Sequence, residues 1–489
     1  MNSNNNFVFT DENIQKLFGY EDAESESIER LKEYYLKKDT YKKVVAELPI
    51  RILVGHKGTG KSALFKVAFH EEKEKLNLPI LIKPDDIAEL GKGNENFLLR
   101  VRQWKYGLTK IIGEKVFSEL SINDAVAKNK LTQFGIKIVN FVYETVNYAK
   151  DNVDMTEPQR IAIDNFLRTR KIIVYIDDLD RGWEGKKDDI NRISALLNAI
   201  RDMANENPGL YFKISLRSDV YYLVRTSDES TDKIEGSVVW FKWTNHEIFV
   251  LLVKRILTCF GESFNEENLL KTDQFQLRYY LDKIMVQRFE GRGKWDNVYT
   301  YKILMSLIRK RPRDLVKLCT LAAHQAQDNN SNIIKTEHFM AVFEEYSQGR
   351  IQDTINEYRS ELPKIQELLF GMRPNRKVKY AVDGFVYTTS ELMQKLNNLK
   401  QNTNFVFKNG RDASAKELAH FLYKINFITA RKQLESGEIQ RKYFEENRYL
   451  SSTFVDFGYD WEVHPAFRWA LQPDNIDDIF HKLKLSHDD

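Results

Sequence analysis

A lysine and a serine side by side after a glycine-rich turn, with carboxylates ending a separate apolar run, can hold a polyphosphate and a divalent cation. In this 489-residue chain the turn is Gly55-His56-Lys57-Gly58-Thr59-Gly60-Lys61-Ser62, which fits G-x-x-x-x-G-K-[ST] at every fixed position. The glycines let successive N–H groups curl inward around an anion. A helix that begins there turns its positive end on the same anion. Lys61 is then placed to reach the β- and γ-phosphates, and the Ser62 hydroxyl to hold Mg2+. The nucleotide-binding candidates are the loop and the residue after it, Gly55, His56, Lys57, Gly58, Thr59, Gly60, Lys61, Ser62 and Ala63. A plain glycine turn is the bland alternative. Context opposes it, because the apolar run Ile50–Val54 precedes the loop and a helical pattern from Ala63 to Phe69 follows.

The carboxylates come from Lys171–Arg181, KIIVYIDDLDR. Ile172 to Ile176 read as a buried strand with acids at its carboxyl end, where open α/β sheets bind their ligands. Asp177 is the Mg2+ candidate. Asp178 is placed to orient or activate an attacking water, and Asp180 is a second candidate for that work. The alternative is that these acids only cap the next helix. A further strand, Leu210–Leu216 (LYFKISL), ends in Arg217-Ser218-Asp219. Arg217 is a candidate γ-phosphate sensor or an arginine finger given to a neighbour; a structural pair with Asp219 is the bland reading. Arg313 follows Pro312, which suits the first turn of a helix. Arg313 is a candidate to reach back to the nucleotide phosphates; contact with nucleic-acid phosphates and a solvated helix face are the alternatives.

The elements that must position these groups divide the chain into four expected parts. Residues 1–48 form an N-terminal helical segment, in which Leu17-Phe18-Gly19-Tyr20 reads either as an adenine cover or as packing aromatics. Residues 49–260 form the core: strands at Ile50–Val54, Pro79–Lys83, Ile172–Ile176, Leu210–Leu216 and Val238–Phe241, with a helical insertion over 85–170. That insertion accounts for the 116-residue separation of Lys61 and Asp177. A helix over Glu247–Phe260 has Thr244 or Asn245 as its N-cap. Residues 261–372 form a helical lid, and residues 373–489 a C-terminal domain with a helical pair and a hairpin expected over Tyr449–Val463. A helical pair followed by a hairpin suggests a winged helix. The fold class is α/β, a parallel sheet flanked by helices with these additions.

Composition narrows the function. The net charge of +3, from 74 basic and 71 acidic residues, argues against a general polyanion binder. Residues 278–317 are locally basic, with eleven Lys or Arg against four acids. The C-terminal ninety residues carry 13 basic and 14 acidic groups, where a duplex-reading wing would be clearly basic. A protein-contact wing is therefore favoured over a DNA reader. No run approaches ~18 apolar residues, so no membrane span is expected, and MNSNNNFVFTDEN does not read as a secretory signal. Two cysteines, Cys259 and Cys319, suit a reducing, cytoplasmic setting. They and the nine histidines form no zinc spacing.

In order, GHKGTGKSALF, IDDLDR, the SLRSD strand end and RPRDL resemble a bacterial P-loop ATPase family on the AAA+/STAND side of that class. IDDLDR is similar to the KAP-type form, and Arg313 to the sensor-2 arginine. The resemblance runs over most of the chain, including HPAFRWAL. It implies ATP as ligand with Mg2+ and hydrolysis to ADP and phosphate. Lys61 and Ser62 would lie on phosphate and metal, Asp177 on metal and Asp178 near the water. ATP over GTP rests on the resemblance alone, since there is no N-K-x-D stretch to read guanine. AAA+ proteins usually carry Glu where Asp178 stands, which implies slow or partner-dependent turnover. The group often forms homo-oligomers and acts as a switch through a protein partner, in stress or anti-phage defence. A DNA-associated initiator or loader, and a non-hydrolysing nucleotide-gated scaffold, are the rival readings.

Overall fold

The computed structural model describes residues 7–93, 96–122, 137–152, 156–227, 229–374, 383–435, 437–447, 458–472 and 476–485. The chain divides into two compact units, Ser27–Phe241 and a second one formed by Met1–Glu26 with Lys242–Asp489. The four parts expected from the sequence are a different division from these two units.

The first unit is built on five parallel strands: β1 (Ile50–Val54), β2 (Leu78–Ile82), β3 (Ile172–Ile176), β4 (Leu210–Leu216) and β5 (Val238–Trp240). Their order is β2-β3-β4-β1-β5, so β4 separates β1 from β3. Ile50 pairs with Phe212, and Ile172 with Leu210, which brings the carboxyl ends of the three strands level. Alternation along the strands gives the sheet two different faces. Ile50, Ile52, Val54, Val174, Phe212 and Ile214 share one apolar core with helices Phe97–Glu119 and Lys187–Glu206, through Trp104, Leu108, Leu196 and Ile200. The other face carries Arg51, Tyr175 and Lys213; the Tyr175 ring meets Phe65 of helix Lys61–Glu74 at 5.2 Å.

Between β2 and β3 run the helices Phe97–Glu119, Ile138–Asn152 and Glu157–Thr169. This stretch is helical, as its three-to-four apolar spacing predicts. It is no appendage, however: it is the crossover between two paired parallel strands, and its apolar stripe completes the sheet's core. Residues 94–95, 123–136 and 153–155 of the expected insertion lie outside the described residues.

In the second unit, Thr10 caps helix Asp11–Phe18, accepting the Asn13 amide at 3.2 Å. That helix lies on helices Asn245–Cys259 and Pro312–Asp328 and buries Leu17 and Phe18, as the packing alternative has it, while Tyr20 is exposed. Thr244 is the N-cap of Asn245–Cys259, and Glu247 returns a bond to it. Pro312 opens its helix. The lid is less helical than its composition predicts. A hairpin, β6 (Arg288–Glu290) with β7 (Asp296–Tyr299), interrupts it. Phe289 is buried against Trp295, and a Cβ on Gly291 would lie 3.0 Å from the Trp295 carbonyl oxygen.

Four antiparallel strands close the unit in the order β10-β9-β11-β8, being β8 (Val386–Tyr387), β9 (Ile428–Gln433), β10 (Ile439–Lys442) and β11 (Asp460–Val463). Helices Thr389–Asn402 and Ala415–Lys424 precede β9. A hairpin, β9–β10, turns at Gly437 (φ +84°), and β11, which falls within the range expected to form a hairpin over Tyr449–Val463, lies on the far side of β9. Residues 449–457 of that expectation lie outside the described residues. Among the described residues no helix is long and apolar enough to cross a membrane.

Candidate functional site

The site lies at the carboxyl edge of the parallel sheet. The Gly55 N–H donates to the Leu216 carbonyl at 3.2 Å, tying the start of the phosphate loop to the end of β4. Gly58 (φ +80°) and Gly60 (φ +94°) bend the loop through left-handed backbone that side-chain-bearing residues avoid. The Thr59 hydroxyl donates to the His56 carbonyl at 2.8 Å, and the Lys61 ammonium reaches back to the carbonyls of Gly55 (2.9 Å) and His56 (3.0 Å). Helix Lys61–Glu74 starts at once. It has no acidic residue in its first turn, so its positive end is not neutralised from within. Ser62 is exposed on that turn.

Phe241, the residue after β5, backs this loop. A Cβ on Gly55 would come within 2.9 Å of its carbonyl oxygen. Sequence reading assigns Phe241 to a strand and gives it no role here. Only the placement of β5 beside β1, invisible in local spacing, brings it to the loop.

β3 delivers the acids. Asp177 is half-buried at the strand end and accepts the Asp178 N–H at 2.9 Å. Asp178 is exposed and sits at φ +60°, left-handed backbone that Asp and Asn tolerate better than most residues. The Asp180 side chain is only 14% exposed. Burial raises its pKa above the ordinary carboxylate value, against the opposing pull of Arg217 and Lys61.

Arg217 is 8% exposed. It grips Asp219 with two bonds, Nε to Oδ1 at 3.0 Å and Nη2 to Oδ2 at 2.6 Å, and its Nη1 lies 3.6 Å from Asp180. This is the pairing that the sequence left as the bland alternative. A guanidinium so enclosed is not presented to a neighbouring molecule, which argues against the finger role. The structure therefore gathers Lys61, Ser62, Asp177, Asp178, Asp180 and Arg217 at one sheet edge. The hydroxyl of Ser62 and the carboxylate of Asp177 are hard oxygen donors of the kind Mg2+ takes.

Arg313 belongs to the other unit. It is on the first turn of Pro312–Asp328, and its Nε donates to the Glu21 carbonyl at 3.1 Å. Its neighbours in the basic block are not a surface stripe. Arg309 and Arg311 are buried; Arg309 makes two bonds to Asp314, at 2.8 and 3.0 Å, and Arg350 a third at 2.8 Å.

Comparison with known proteins adds the following. Residues 248–355 match the FunZ-associated C-terminal helical domain. The chain is similar to the "Putative transposon gamma-delta 80.3 kDa protein" of Escherichia coli K12, with 22% identity over 480 residues. The match takes in 88% of this chain and 64% of that protein, so the chain spans less than two thirds of that relative's length. Among solved structures it overlaps the Walker-type ATPase PABY2304 of Pyrococcus abyssi with a TM-score of 0.43 and 14% identity, covering 89% of this chain and 95% of the other. It also overlaps the Aeropyrum pernix ORC1 protein in complex with DNA (TM-score 0.34, 12% identity, 90% and 92% covered) and the ORC2 protein of the same organism (0.37, 10%, 92% and 92%).

Proposed function

We propose that the chain is an ATP-binding, Mg2+-dependent switch that hydrolyses ATP slowly or on contact with a partner. The observation that supports this best is the juxtaposition at one sheet edge of the Gly55–Ser62 loop, the helix it opens and the Asp177–Asp180 carboxylates. In this reading the loop amides and Lys61 cradle the β- and γ-phosphates, and Ser62 and Asp177 hold Mg2+. The bound metal supplies charge neutralisation on the phosphate oxygens. Asp178, at the open rim, orients a water whose oxygen attacks the γ-phosphorus as the bond to the β–γ bridging oxygen breaks. Catalysis is then positioning and electrostatics. Asp180 and Arg217 act as positioning residues: Asp219 fixes the guanidinium, and Asp180 links it to the Lys61 side. Arg313 as a second phosphate sensor, assembly into homo-oligomers and a protein partner remain parts of the proposal, and so does a winged-helix-like role for the C-terminal sheet.

The test is phosphate release by purified protein with Mg·ATP, for wild type and Asp178→Asn, with and without duplex DNA. Turnover that ignores DNA and falls at least tenfold in the variant supports the switch. DNA-stimulated turnover would favour the initiator-like reading instead, and binding without turnover a nucleotide-gated scaffold.

A further inference from the structure

The sheet face that meets helix Lys61–Glu74 holds a cavity of about 110 Å3 near the amino ends of β3 and β4, away from the edge that carries Asp177 and Arg217. Strands of a parallel sheet are ordinarily apolar on both faces. Here the register sets Arg51 beside Lys213 and Lys213 beside Tyr175. Lys213 lines the cavity and is 3% exposed. Its ammonium has three N–H groups, and one goes to the Ala46 carbonyl at 2.7 Å. Among the described residues it has no other hydrogen-bond acceptor.

The carboxylates nearby are committed elsewhere. Glu47 takes the Lys171 ammonium at 2.7 Å. Glu72 takes Lys75 at 3.3 Å and the Asn77 amide at 2.6 Å. All of these groups line the cavity, so three ammonium groups face two carboxylates and one positive charge is uncompensated. A buried cation in that position calls for an anion. The space holds several waters, enough for a small organic anion.

We propose that this cavity binds one small carboxylate monoanion, of formate or acetate size, against the Lys213 ammonium with Lys171 at its rim. The bound anion would brace the far ends of elements that also carry the nucleotide-site residues. Tyr175 shares β3 with the approach to Asp177, Lys213 shares β4 with the approach to Arg217, and Glu72 ends the helix that Lys61 begins. Burial, with Arg51 beside it and against Glu72 and Glu47, pulls the Lys213 pKa down to about 8. Tyr175 and Tyr211 also line the space, and burial holds the Tyr175 hydroxyl protonated well past that pH. Affinity should therefore fall as pH rises above 8.

The full chain is titrated with 13C-acetate against chloride at constant ionic strength, with binding read by NMR line broadening and by the melting midpoint. The expected result is one saturable acetate site. It is weakened at least tenfold in Lys213→Met and unchanged in Lys61→Ala, which separates it from the phosphate loop. A melting response to acetate no larger than to chloride, or equal acetate binding in Lys213→Met, would overturn the proposal and leave the cavity to water. If Lys213→Met does not fold, Lys171→Gln is used instead. A several-fold loss of affinity there supports the site, and unchanged affinity overturns it.

Discussion

At the scale of single residues, Gly55 and Asp178 show two different demands of the phosphate site. Gly55 needs the absence of a side chain, because a Cβ would stand 2.9 Å from the Phe241 carbonyl oxygen and 3.1 Å from the Thr59 hydroxyl. Gly55→Ala is expected to cost about 1–3 kcal/mol by forcing backbone to move, measured by urea unfolding, and to weaken nucleotide binding as well. Asp178 needs left-handed backbone as well as a carboxylate. Asp178→Asn should keep the fold, since Asn tolerates that conformation, whereas Asp178→Val should cost about 1–2 kcal/mol more. Thermal melts of the two variants check this. The glycine spacing and the Lys61-Ser62 pair were legible because the loop is local and its chemistry depends on consecutive residues. Phe241 was not, because its contact with the loop follows from strand order. The tight hold of Asp219 on Arg217 was legible only as one of two options, since spacing alone does not say which side chains are buried.

At the scale of elements, buried charge decides what the basic block does. Asp314 lies between Arg309 and Arg350, and burial would raise its pKa, but the two guanidinium groups hold it well below the usual carboxylate range. Asp314→Ala strands buried cations and is expected to destabilise the second unit by about 3–5 kcal/mol, measured by denaturant unfolding. A depressed native pKa means that the unfolded chain binds the proton first. The contribution is therefore intact above about pH 4 and is lost as pH falls below it. The same burial makes charge reversal at Arg309 or Arg311 a test of folding, not of DNA contact; exposed Arg288 is the fair probe for that. Composition shows these arginines only as a basic block, because it carries no sign of burial or of a distant partner, Arg350 being 36 residues beyond Asp314. In β4, Lys213 carries the opposite sign of linkage. Its native pKa of about 8 lies below the unfolded value, so stability should rise with pH between about 8 and 10.4. Lys213→Met should lack that slope and gain on the order of 2–3 kcal/mol at pH 7, as pH-dependent chemical denaturation would show.

At the scale of the whole molecule, β1, β3 and β4 were legible to the residue, since each is a short, mainly apolar run bounded by Pro, Gly or charged residues. The division into units was less so, because it depends on the N-terminal 26 residues joining a unit whose other residues begin at Lys242. The lid hairpin escaped notice for a similar reason: its apolar anchors, Phe289 and Trp295, sit among charges that read as a helix face. If the first unit binds nucleotide as proposed, saturating Mg·ATP should stabilise it by about 2.7 kcal/mol at one hundred times the dissociation constant. That shift should vanish in Lys61→Ala. The most direct measurement of the central claim is Mg·ATP binding and phosphate release by wild type, Lys61→Ala and Asp178→Asn side by side. The account predicts binding and slow turnover in wild type, loss of binding in Lys61→Ala, and binding with at least tenfold less turnover in Asp178→Asn. Equal ATP affinity of wild type and Lys61→Ala would contradict it.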